Sequence, residues 1–472
     1  MKSRVSTRIM AVAAIGAAGL LVGSNARGAG SVAYQDANAR FTVVTDGVVR
    51  MEWQPQGRFV DNMSQIAVER DYPACDYRVD ACDTLVTVTT DKMQLRYRPG
   101  TGPFSAENLS ITSEPRLPGS FSWHPGMKQK ANLKGTTRTL DGLDGDVQTQ
   151  TWCTDMKQGD VRVLDDGLLA RDGWTLIDDS HSYLFDNDPE WPWVADRPEG
   201  DGQDWYFMAY GNDYKKALRD FTVFAGRMPL PPRFAFGYWW SRYWAYSDSE
   251  LRNLVDKFAA YDIPLDVLVV DMDWHYTDPE RGGWTGWTWN KSLFPDPAGF
   301  MNHMHDNGIK VTLNLHPAEG FEPYEAAYPA LAEALGSTDG AKIPWVNSDK
   351  PTIKAVFDTV LRPMERDGVD FWWLDWQQYL NDPVKTGLDN TWWINYCFFH
   401  DMEHNRPERA LLYHRWGGLG NHRYQVGFSG DAVISWKSLD YQPYFTSTAS
   451  NVLYGYWSHD LGGHLDTGNG ID

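Results

Sequence analysis

Cysteine is scarce, with four in 472 residues. A scaffold built on disulfides is therefore excluded, and the cysteine spacing carries no zinc signature. Positive charge is also short: 43 Lys and Arg stand against 63 Asp and Glu, giving a net charge of −20 and a pI near 5.0. A nucleic-acid partner needs a basic face, so this balance argues against one. Beyond the N-terminus no stretch reaches the ~18 consecutive apolar residues of a membrane-spanning helix. What the chain has in quantity is aromatic side chains, 23 Trp, 23 Tyr and 20 Phe. Indole rings suit the apolar faces of sugars, and they also build large cores. Composition alone does not choose between the two.

Residues 1–26 read as an export signal. Lys2, Arg4 and Arg8 form a basic start, Ile9 to Val22 is apolar, and Ser24-Asn25-Ala26 offers small residues for cleavage. The expectation is a mature chain beginning near Arg27, secreted or periplasmic. In such a compartment Cys75 and Cys82 are near enough in sequence for a loop staple. Cys153 and Cys397 are far apart and are expected to be free and buried.

Residues 31–225 carry short β-rich runs such as "ARFTVVTDGVVRMEW" and "DTLVTVTTDKMQLRYRPG", punctuated by Asp-Gly and Pro-Gly. They predict an N-terminal antiparallel β-sandwich. The proline-rich "RMPLPPRFAFG" (227–237) marks a boundary. From 230 to 472 strands alternate with helices, which implies βαβ units and a parallel sheet. The helix in "SDSELRNLVDKFAAYDI" is capped by Ser247 or Ser249 and striped by Leu251, Leu254, Val255 and Phe258. Seven candidate strands follow Phe234, each with polar residues at its C-terminal end, as in a (β/α)8 barrel lacking its last strand.

Those strand ends supply Asp271 and Asp273, His316, Asp375, Arg415, Asp431, and His459 with Asp460. A carboxylate inside a hydrophobic strand needs a partner or a ligand. In "VDFWWLDWQQ" the acid Asp375 ends such a strand between Trp373 and Trp376, with Arg415 the cation to hold it ionised as a nucleophile. Asp431 in "GFSGDAV" suits a protonated general acid, and Gly427 and Gly430 would let backbone approach a ligand.

The motifs "VVDMDWH", "FWWLDWQQ", "HRWGGLGNHRYQVGFSGD" and "WSHDLGGH", in this order and spacing, resemble glycoside hydrolase family 31. A looser likeness extends to "GTTRTLDG" and "GLLARDGWTLIDDS" in the N-terminal half. The resemblance implies a retaining exo-α-glycosidase of α-glucosidase type. Asp375 would be its nucleophile and Asp431 its acid/base. Asp271, Trp373, Trp376, Arg415, Phe428 and Asp460 would bind an oligosaccharide or other α-glycoside. No cofactor and no metal are implied. The family's eighth strand brings a sugar-binding histidine that has no counterpart after Asp431, so the expectation is an incomplete barrel from a longer protein.

Two other readings compete. An inert sugar-binding barrel would account for the tryptophans but not for two placed acids. "DMD" (271–273) could be the metal-binding motif of a glycosyltransferase, which leaves Asp375 and Asp431 unexplained. His275, His303, His305 and His316 make a weak metal set, because His303 and His305 point to different helix faces. Asp172 in "LLARDGW" is a candidate to reach the barrel mouth, with an ordinary loop acid as the simpler account.

Overall fold

Alternating apolar residues in the N-terminal half produce hairpins, and the computed structural model shows them paired. It describes residues 24–28, 32–152, 156–277, 283–375 and 381–466. A six-stranded antiparallel sheet runs in the order Ser24–Gly28, Cys75–Cys82, Leu85–Thr89, Met93–Tyr97, Leu109–Ser113, Ser122–Trp123. A five-stranded one runs Trp174–Asp178, Gln203–Ala209, Val48–Trp53, Ala39–Thr45, Val32–Gln35. Phe41, Val49 and Met51 of the second sheet share one apolar core with Val86, Leu95 and Tyr97 of the first. The strand Ala39–Thr45 is buried along its whole length because its other face is covered by the helix Tyr214–Ala225. Phe224 of that helix stacks on Tyr206 at 4.3 Å.

The staple expected between Cys75 and Cys82 does not form. The two residues end a single extended strand, which at ~3.3 Å per residue holds them roughly 23 Å apart. A disulfide needs Cα atoms within about 7 Å. Both are free thiols, as is the buried Cys397, and Cys153 lies outside the described residues.

In the C-terminal half five parallel strands pair in chain order: Trp239–Trp240, Val267–Val270, Lys310–Leu315, Phe371–Leu374 and Leu412–His414. The ladder continues through two further segments held only by parallel bridges, His414 to Gly427 and Gly427 to Trp457. Phe428 N–H donates to His414 O (2.7 Å) and Gly427 N–H to Tyr456 O (2.8 Å). Five parallel strands and two bridged segments are thus present among the described residues. Side chains near the two ends of the ladder meet at Phe236 and Tyr456, whose rings lie 5.7 Å apart.

The covering helices follow their sequence signals where those are amphipathic. Asp248–Ala260 starts from Ser247 in a capping box with Glu250 and buries Leu251 and Val255. The segment Lys350–Arg366 is helical, with one wider turn at Phe357–Leu361 just before Pro363, a residue that has no N–H to donate. The helix Asn390–Asn405 has no polar face. It is buried between the barrel and N-terminal Phe185 and Trp193, which sit 5.7 and 5.1 Å from the Trp393 ring.

Leu313, fully buried in the third barrel strand, tests this packing. Leu313→Ala is expected to destabilise the chain by about 2–5 kcal/mol, read as a lower urea midpoint. A loss under about 0.5 kcal/mol, the size of a surface change, would contradict a packed layer between the barrel strands and their covering helices.

Candidate active site

Four chain segments converge on one guanidinium. Arg415 follows the fifth barrel strand and is fully buried. Its Nη2 and Nε donate to Asp375 Oδ1 at 2.8 and 3.2 Å. Its Nη1 donates to Asp141 Oδ1 at 2.8 Å and to Thr139 Oγ1. Nη2 also lies 4.0 Å from Asp431 Oδ1. The Phe428 ring backs the guanidinium at 4.7 Å and is itself packed edge-on against Trp373.

Asp375 stands at the end of the fourth strand, where its own N–H continues the ladder to Leu315 O (2.9 Å). Asn314 Nδ2 donates to its other oxygen, Oδ2, at 2.9 Å, and His316 Nε2 lies 3.3 Å from that atom. Burial acts to raise its pKa. The Arg415 charge and the His316 and Arg415 contacts overcome it and hold the carboxyl well below the ordinary range.

Asp431 is placed differently. Its backbone N–H donates to Asp141 Oδ1 at 2.7 Å, but no hydrogen-bond donor among the described residues reaches its carboxyl. Burial, with the charges of Asp141 and Asp375, pushes its pKa well above the usual carboxylate range despite Arg415. Asp460 and His464 converge on it, one polar atom of each of the three lying within 4.8 Å of the others. Burial and then Asp375 push Asp460 up to about 7. On the opposite flank, Asp271 ends the second strand and accepts from Met272 N–H at 2.7 Å. Burial and the Asp375 charge push it up to about 8.

The structure therefore brings together Asp271, Trp373, Asp375, Arg415, Phe428, Asp431 and Asp460 of the sequence-derived set. Trp376 lies outside the described residues. Phe428 is 1 % exposed and supports Arg415 from behind. His459 turns away to Thr446 Oγ1 (2.9 Å) and stacks on Trp457. Asp273 accepts from Thr277 Oγ1 (2.9 Å), so each acid of Asp-Met-Asp has a local donor. Asp172 braces a loop by accepting the Lys130 and Ala131 N–H groups, the ordinary role. The expected ligand space at the two glycines is taken up by protein. A Cβ on Gly430 would strike Asp141, Thr139 and Arg415, and one on Gly427 would meet the Trp457 ring at 2.6 Å.

Sequence reasoning passed over Thr139, Asp141, Asn314 and His464. Asn314 was accessible in principle, as a buried amide one turn of the pleat before His316. Asp141 lies 274 positions from Arg415, and only its place in "GTTRTLDG" hinted at a role.

Comparison with known proteins places this site in a family. Residues 228–470 match the profile of the "Glycosyl hydrolases family 31 TIM-barrel domain". The chain is 26 % identical to the alpha-xylosidase XylQ of Lactiplantibacillus pentosus over 55 % of its length and 37 % of that protein's. It is 31 % identical to Alpha-glucosidase 2 of Bacillus thermoamyloliquefaciens over 32 % of its length and 19 % of that protein's. The chain thus spans well under half of these curated relatives. In fold it is similar to the Flavobacterium johnsoniae GH31 dextranase, with TM-score 0.65 and 16 % identity over 92 % of this chain and 60 % of that one. The Xanthomonas citri GH31 alpha-xylosidase gives 0.63 and 14 % over 94 % and 69 %. With the profile covering half of its residues, the chain belongs to glycosyl hydrolase family 31.

Proposed function

We propose that the chain carries the catalytic centre of a retaining exo-α-glycosidase of α-glucosidase type. One observation carries the reading: Asp375 and Asp431 reach the same Arg415 nitrogen, at 2.8 and 4.0 Å. Their separation cannot exceed the sum of those distances. For the two Oδ1 atoms that bound is compatible with the short carboxyl pairs (about 5–5.5 Å) of covalent mechanisms, which supports the retaining reading.

Asp375, kept ionised, attacks the anomeric carbon while Asp431 gives its proton to the departing oxygen. Water then cleaves the glycosyl ester, with Asp431 as base. Trp373 Nε1 and His316 Nδ1 are buried without a hydrogen-bond partner among the described residues, while His316 Nε2 faces Asp375 Oδ2 at 3.3 Å. The glucose assignment rests on the α-glucosidase motifs, whereas relatives named alpha-xylosidases favour xylose as the second reading. The same proposal takes the two N-terminal sheets as a β-sandwich and the barrel as lacking its last strand within the described residues.

Export belongs to the proposal too, on the signal-like residues 1–26. Cleavage after Ala26 divides the edge strand Ser24–Gly28 but leaves its partner Cys75–Cys82 paired to Leu85–Thr89, so only a sheet edge is lost. Sequencing the N-terminus of protein recovered outside the cytoplasm should return Arg27 first; a retained Met1 there would refute cleavage.

A panel of p-nitrophenyl α-glycosides should give release from the α-D-glucoside that EDTA does not affect. A metal requirement would instead favour the transferase. Asp375→Ala should lower kcat by at least roughly 10⁴-fold, and Asp431→Ala by about 10²–10⁴-fold on natural glycosides but much less on activated aryl ones. Equal losses on both substrate types would remove Asp431 from the acid role.

Stability should track the raised carboxyls. Asp271 and Asp460 hold protons up to about 8 and about 7 in the fold, against ordinary values near ~4 when unfolded. The folded state therefore binds more protons between those limits. Its stability is greatest below pH ~4 on this account and falls as pH rises through them. Asp271→Asn is accordingly expected to raise the thermal midpoint at pH 8.5 relative to wild type and to leave it unchanged near pH 4. A midpoint lowered at both pH values would sink this assignment.

A further inference from the structure

The loop that bears Asp431 does not stand alone in the barrel. A segment of the N-terminal half, residues 139–143, runs beside it and is pinned to it by main-chain hydrogen bonds. Leu140 N–H donates to Ser429 O (2.7 Å), Gly142 N–H to Asp431 O (2.9 Å), and Val433 N–H to Leu143 O (3.0 Å). Between these anchors Asp141 points inward with its side chain 2 % exposed. A single oxygen, Oδ1, accepts both Arg415 Nη1 (2.8 Å) and the Asp431 N–H (2.7 Å).

We propose that Asp141 is a positioning residue of the acid/base centre: its carboxylate divides the Arg415 charge with Asp375 and holds the Asp431 main chain, so that Asp431 keeps its proton in the resting site. The proposal rests on the glycosidase reading of Asp431.

The groups facing Asp431 are Asp141, Asp375 and Asp460, which are acidic, with Arg415 and His464. Arg415 is the one formal positive charge in that set, and a cation within about 4–6 Å favours the ionised carboxyl by roughly 1–3 pH units. With Asp375 as its sole counter-anion, Arg415 would pull the proton off Asp431. A second buried carboxylate on the far side of the guanidinium opposes that pull. It does so without a new donor to Asp431, because Asp141 is acceptor-only when ionised. Gly430 is what lets Asp141 come so close. It has a φ of +101°, and a methyl there would strike Asp141, Thr139 and Arg415. A buried acid could instead serve purely as a clamp between the halves of the chain, and proton retention separates the two roles.

Asp141→Asn in the full chain keeps the size and the acceptor oxygen and removes the charge. The alkaline limb of kcat/KM for an unactivated α-glycoside should then move to lower pH by about one unit or more. Asp141→Glu, which keeps the charge, should leave the limb near its wild-type place. The free protein supplies a readout that needs no turnover. With 13Cγ-labelled aspartate, the Asp431 resonance, assigned by its loss in Asp431→Asn, should titrate at lower pH in Asp141→Asn. Should that variant fail to fold, Gly430→Ala carries the test through its clash with Asp141, and the same downward shift is expected. A lowered thermal midpoint with the titration unmoved would leave Asp141 as a clamp only and overturn the proposal, as would equal shifts in the Asn and Glu variants. A wild-type chain inactive on every glycoside would refute the glycosidase reading, while the resonance would still report whether Asp141 governs the Asp431 proton.

Discussion

A guanidinium taken entirely out of water must be met by charge and by hydrogen-bond acceptors, and the cost of leaving it unmet is several kcal/mol. Arg415 is such a group, and its needs organise the surrounding fold. Its donors run to Asp375 from the fourth barrel strand and to Asp141 and Thr139 from the N-terminal half. Asp431 from the sixth segment lies just outside hydrogen-bond range. Removing any partner would leave charge stranded in a dry interior, which ties these four stretches of chain to one geometry. The Phe428 ring lies against the guanidinium, 4.7 Å from it.

That arrangement makes the N-terminal half part of the site rather than an appendage to it. Main-chain bonds from Leu140, Gly142 and Val433 stitch residues 139–143 to the loop 429–433. Phe185 and Trp193 seat the helix Asn390–Asn405 against the same half. A boundary drawn at the proline-rich stretch near 227–237 is sensible by composition, yet it cuts through the electrostatic centre. Asp375 comes from a barrel strand end, and the turn that holds Asp141 in the N-terminal half supplies a second carboxyl to Arg415.

How much of this was legible depended on whether a residue's role is local. Barrel strands such as Val267–Val270 and Phe371–Leu374 are buried on both faces and read as apolar runs ending in a carboxylate. The helix Asp248–Ala260 has a cap and a stripe, and both signals held. The helix Asn390–Asn405 has a cap in Asp389 but no stripe, since neighbours cover most of its length and no polar face remains there to mark its period. The segments around Gly427 and Trp457 were expected as strands and are held by bridges alone. Cys75 and Cys82 looked close because seven steps in sequence say nothing about whether the chain between them is coiled or extended. Asp141 was out of reach for the same reason on a larger scale: its meaning is a contact 274 positions away.

The two central acids differ both in the charges that face them and in the donors that reach them. Both oxygens of Asp375 are taken, Oδ1 by Arg415 and Oδ2 by Asn314, and each bond favours the anion. The Asp431 carboxyl receives no donor among the described residues; its nearest cation is already committed to Asp375 and Asp141. Desolvation acts on both groups in the same direction, so it cannot tell them apart. Neighbouring charge and hydrogen bonds can: Arg415, His316 and Asn314 favour the anion at the strand end, whereas Asp141 and Asp375 oppose it in the loop. An exchange of those roles would require moving Asn314 and Arg415, which the third and fifth strands fix in place. The difference between the two carboxyls is in this sense partly a property of the barrel ladder, because the strands that set its register also decide where Asn314 and Arg415 stand.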